Sequence, residues 1–84
     1  MQKNKMLIDA VQMRKDEILH YQINIDNYAM AMQKIKDRYT GDSELDRAMA
    51  KFYEQLKELH DTSVIEREKA RLMLEVIQEQ VEEQ

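Results

Sequence analysis

Few side chains in this sequence could do chemistry, and the first to weigh is Glu17-Ile-Leu-His20. Two Glu-x-x-His motifs at helical spacing, with two further glutamates, hold a di-iron centre in four-helix bundles. Two copies of the chain would supply both motifs, with Glu54 or Glu58 as the extra ligand. Orientation argues against it. At about 100° per residue, His20 points about 130° away from the apolar seam of its helix, whereas metal ligands must project inward. The expectation is a solvated histidine beside Asp16 and Glu17, with no metal and no cofactor. His60 reads as a lone helix-surface histidine with no nucleophile, base or orienting partner in sequence. No enzyme is expected.

A second constellation is polar. Arg14, Tyr21, Ser63 and Arg67 all fall at positions of the apolar ladders. Polar residues there cost stability and set register and partner choice. In a symmetric dimer their guanidiniums and hydroxyls could instead bind a small anion, because the arginine fork matches carboxylate and phosphate geometry. Glu17 and Glu66 are near enough in sequence to neutralise both arginines internally. A third segment, Asp42-Ser43-Glu44-Leu45-Asp46, falls short of the Ser-x-x-x-Asp signature of small helical-hairpin phosphatases that act on aspartyl-phosphate. Ser43 stands three residues from Asp46, not four, and helix capping accounts for the segment.

The elements that must position these groups are helices. Leu7, Val11, Arg14, Ile18, Tyr21, Ile25, Tyr28, Met32, Ile35 and Tyr39 alternate at spacings of four and three. A period of 3.5 predicts a helix over about residues 3–39 with a narrow seam. Gly41, the sole glycine, marks the end of that helix, and Ser43, with Asp42 before it, is placed to cap the next. Residues 40–43 are then a turn. Leu45, Met49, Phe52, Leu56, Leu59, Ser63, Arg67, Ala70, Leu74, Ile77 and Val81 predict a second helix over about 44–82. One four-four step around Ser63 reads as a stutter, with a kink at 61–63 as the alternative to an unbroken helix.

Folding one helix onto the other sets Tyr39 beside Leu45, Met32 beside Phe52, Tyr21 beside Ser63 and Arg14 beside Ala70. Ile25, Met32, Phe52, Leu56 and Leu59 are then the driest core. Lys3 and Lys5 come beside Glu79, Glu82 and Glu83, which offsets the misplacement of both sets on their helix dipoles.

Composition narrows the rest. The 84 residues carry 13 basic and 17 acidic side chains, for a net charge of −4, with one Gly, no Pro and no Cys. Lack of cysteine excludes disulfides, thiolate zinc sites and thiol catalysis. No apolar run approaches the roughly 18 residues a membrane span needs, and no segment reads as a signal peptide, so the expected compartment is cytoplasmic. Bases alternate with acids along both helices, which argues against nucleic acid.

The expected fold is all-α: one domain over residues 1–84, a long antiparallel coiled-coil-like hairpin that dimerises into a four-helix bundle. A lone hairpin leaves a second stripe wet: Ile8, Leu19, Ile23 and Met30 on the first helix, Ile65, Leu72, Met73 and Val76 on the second. These are the candidate interface residues, toward a second copy and another protein. The expected function is a non-catalytic protein–protein interaction module. Small accessory proteins, assembly chaperones and inhibitors, many of them phage-encoded, share this build. The alternative is a binder of a small anionic ligand through the Arg14, Tyr21, Ser63, Arg67 layer.

Overall fold

In the computed structural model, which describes residues 2–83 and the side chains of 5–83, the chain is two long helices. Helix α1 runs Gln2–Lys36 and α2 runs Ser43–Glu82, with no strand among the described residues. They pack against each other over a body of 64 × 14 × 14 Å, a two-helix hairpin. The seam on α1 is the expected ladder from Leu7 to Ile35, with Ile25 and Ile35 buried. Lys34 and Lys36 in its last turn suit the helix dipole.

The connection differs from expectation. Helix α1 stops at Lys36, three residues early, and residues 37–42 form the link. The cap of α2 is Asp42, whose carboxylate accepts from the backbone N–H groups of Glu44 and Leu45, each at 3.0 Å. Ser43 is the first helical residue instead. Asp46 reaches back from the first turn to accept from the N–H groups of Thr40 and Gly41, both at 3.0 Å. Gly41 turns the chain at φ +86°, a conformation that a side chain disfavours. Two aspartates thus satisfy donors that the start of α2 and the turn would otherwise leave open.

Helix α2 is unbroken through 61–63 and carries no stutter. Its seam runs Met49, Tyr53, Leu56, His60, Ser63, Arg67, Ala70, Leu74, Ile77, Val81, in strict alternation of four and three. Tyr53 and His60 occupy the places expected for Phe52 and Leu59, which are each 50% exposed. Phase decides the choice. Starting from Ser63, Arg67 and Ala70, an uninterrupted 3.5 period reaches His60 and Tyr53, and their more apolar neighbours are pushed to the flank. The driest residues are therefore Ile25, Ile35, Leu56, Ser63 and Ala70.

Register also moves. Arg67 Nη1 donates to Gln22 Oε1 at 2.7 Å, and Lys36 Nζ lies 5.4 Å from the centre of the Tyr53 ring. Val11 shares a recess with Gln78 and Val81. The helices are thus offset by about one turn from the pairing of Tyr21 with Ser63. With Lys36 level with Tyr53, the first ten or so residues of α2 extend past the end of α1, about 15 Å at 1.5 Å per residue. Tyr39 and Leu45, expected to pair, are both exposed. Among the described residues all five ion pairs join residues of the same helix. The expected pairing of charges at the open end is not among them, and the side chain of Lys3 lies outside the described part.

Candidate interaction surface

The seam divides the surface of the hairpin into two broad faces. Beside it on one side, at intervals of seven, run Ala10, Glu17, Asn24, Ala31 and Arg38 of α1 and Leu45, Phe52, Leu59, Glu66 and Met73 of α2. Three recesses open here. One is lined by Ala31, Lys34, Ile35, Arg38, Met49 and Phe52, toward the turn. Another is lined by Arg14, Leu72, Met73, Val76 and Ile77, toward the open end. Between them lies a polar one that includes Arg14, Glu17, Tyr21, Glu66, Lys69 and Ala70. Apart from that middle the large side chains of α2 on this face are apolar, with Lys34, Arg38 and Arg14 at the rims of the recesses.

The opposite face is charged and largely satisfied within its own helices. It carries Lys15, Gln22, Asp26 and Lys36 of α1 and Glu54, Lys57, Asp61, Glu68, Arg71 and Glu75 of α2. Gln12 donates to Asp16 and Gln22 to Asp26, each one helical turn on. Arg67 and Arg71 both reach Glu68. Such pairs at i,i+3 and i,i+4 each add about 0.2–0.5 kcal/mol to a helix.

The stripe expected from sequence is exposed throughout: Ile8, Leu19, Ile23, Met30, Ile65, Leu72, Met73 and Val76 are all among the exposed large hydrophobics. The residues are not brought onto one plane. Met73 and Val76 sit on the apolar face with Phe52 and Leu59. Ile23 and Met30 stand on the outer edge of α1, and Ile65 and Leu72 on the outer edge of α2, at heptad positions pointing away from the seam. Ile8 and Leu19 lie on the charged side. Phe52 and Leu59 are the surface residues that the sequence reading placed in the core; a ladder free of the stutter would have found them.

The polar layer is brought together, with its charges already met. Arg14 Nη1 lies 2.7 Å from Glu17 Oε2. Arg67 pairs with Glu68 at 3.0 Å and donates to Gln22; Glu66 pairs instead with Lys69 at 3.1 Å. Tyr21 shares a recess with Arg14 and Ala70, while Ser63 is buried in the seam. Each guanidinium thus has a carboxylate within its own helix, which leaves less of its field for an outside anion.

The histidines differ from each other. His20 is exposed, 3.3 Å from Asn24 Nδ2 and edge-on to the Tyr21 ring. His60 is not the surface residue expected: its side chain is 25% exposed, at a seam position, with Nδ1 3.1 Å from Asp61 Oδ1. Among the described residues no group of three or more His, Asp or Glu side chains could hold a metal ion. No helix is long and apolar enough to cross a membrane.

The chain matches no protein-family model, no curated protein and no solved structure. Its surface must therefore speak for itself. What that surface offers among the described residues is two hollows on one face with apolar side chains in their lining, beside Arg14, Lys34 and Arg38.

Proposed function

We propose that this protein is a non-catalytic protein–protein interaction module that works as a homodimeric four-helix bundle, with a cytoplasmic setting. One observation carries the reading. A compact chain of 10.1 kDa exposes about 5,300 Å², and this hairpin exposes 6691 Å². The excess is about 1,400 Å² per chain. That excess comes with the elongated shape and leaves large apolar side chains in water, where a second copy would cover them. Among the described residues only Ile25, Ile35, Leu56 and Ala70 are buried and apolar, too few to offset ordering some 80 residues at about 1.5 kcal/mol each. The missing burial must come from another chain.

The outer-edge residues Ile23, Met30 and Ile65 then remain for a different protein, whereas Leu72 lines a recess of the face that a second copy would cover. Binding of a small anion by Arg14 and Arg67 is the weaker reading, since Glu17 and Glu68 already answer them. The test is thermal unfolding followed by circular dichroism over a hundredfold range of protein concentration. Tm should climb with concentration, as mass action requires of a folded dimer that melts to monomers. A Tm that stays constant over the range would refute self-association.

A further inference from the structure

The two helices contribute unlike side chains to the apolar face. Helix α1 supplies small ones, Ala10 and Ala31, which are half-buried beside the seam. Helix α2 supplies Phe52, Leu59 and Met73, each about half exposed. At those two alanines, with Glu17 and Asn24 between them and Arg38 beyond, small residues of one strip can receive large ones of the other, provided that α2 of one copy lies over α1 of the next.

We propose that this face is the self-association interface, and that the second copy is related by a two-fold axis parallel to the long axis of the hairpin. This inference rests on the self-association proposed above, and adds to it which face is covered and in what orientation. An axis along the length preserves level. With Lys36 level with Tyr53 and Gln22 level with Arg67, Leu59 of one copy comes over the partner's Ala31. Lys69 comes beside the partner's Glu17, so the polar middle of the face is matched in charge. All neighbouring helices in the bundle are antiparallel. A two-fold across the length would instead lay α2 on α2. Large side chains would then meet large ones, and Glu66 would approach the partner's Glu66 near mid-face, a like-charge contact. Exposed apolar side chains run along this face from Phe52 to Val76, a length that a second hairpin would cover. A short peptide segment seated in one recess would leave most of it wet.

The chain has no cysteine, so single thiols report proximity cleanly. Ala31→Cys and Leu59→Cys, co-refolded in equal amounts and oxidised, should give a mixed disulfide in up to about half of the chains. That is the statistical share of mixed dimers. Ala29→Cys with Lys57→Cys, on the charged face, should give almost none. A Leu59→Cys self-disulfide in place of the mixed product would overturn the orientation. Cross-linking through Ala29→Cys and Lys57→Cys, or through neither pair in a sample of dimer mass, would overturn the choice of face and leave self-association standing. Monomer mass in the wild-type protein would overturn both.

Discussion

The two faces of the hairpin are built from the same pair of helices and behave oppositely. On the charged face, Gln22, Asp26, Arg67, Glu68 and Arg71 close on one another through short hydrogen bonds and ion pairs. Of the large apolar side chains expected at an interface, Ile8 and Leu19 stand exposed on that side. On the apolar face, Phe52 and Leu59 stand half exposed, and Phe52 lines a recess with Ala31, Ile35 and Met49, rimmed by Lys34 and Arg38. One face is finished as a surface and the other is unfinished. The difference lies in which residues flank the seam, since a residue beside a heptad seam can be wet in a hairpin and buried in a four-helix bundle. In the dimer proposed above, large apolar side chains at flanking positions would mark the side on which the second copy packs.

Substitutions can sharpen that contrast, and the largest effect is expected at Phe52. Phe52→Ala should cost about 3–5 kcal/mol in urea unfolding if the face is covered, and under about 1 kcal/mol if it stays open to water. Leu59→Glu should place an unpaired charge in the same interface. Its dimer dissociation constant should rise about a hundredfold, near 2.7 kcal/mol, in sedimentation velocity. Asp42→Ala removes the cap of α2 on neither face and should lower stability by about 1 kcal/mol by chemical denaturation. Smallest of all, Lys57→Ala on the charged face should stay within about 0.5 kcal/mol of wild type, with the dissociation constant unchanged. Equal responses at Leu59 and Lys57 would erase the distinction between the faces.

The legibility of this molecule in its sequence varies along the chain for physical reasons. On α1 the ladder from Leu7 to Ile35 has only Arg14 as a polar member, and no competing phase is as apolar, so seam and helix are readable together. On α2 two phases compete. Phe52 and Leu59 are more apolar than their neighbours Tyr53 and His60, and hydrophobicity alone chooses the wrong pair at the cost of a stutter. Continuity of the period through Ser63 and Ala70 favours the pair that the structure buries. The one-turn register offset was hidden for a related reason. It depends on how far α2 overruns α1 beyond the turn, and neither Gly41 nor the cap encodes that length. The same error of phase concealed the apolar face, because its two largest residues had been assigned to the core.

The central claim is that a second copy covers the apolar face, and sedimentation equilibrium tests it most directly. Samples at low to high micromolar concentration would be run with helicity measured alongside. The prediction is a mass of about twice 10.1 kDa, falling toward the monomer only as helicity is lost on dilution. A mass of 10.1 kDa at high micromolar concentration with full helicity would contradict the account, for the hairpin would then hold itself together with its apolar face in water.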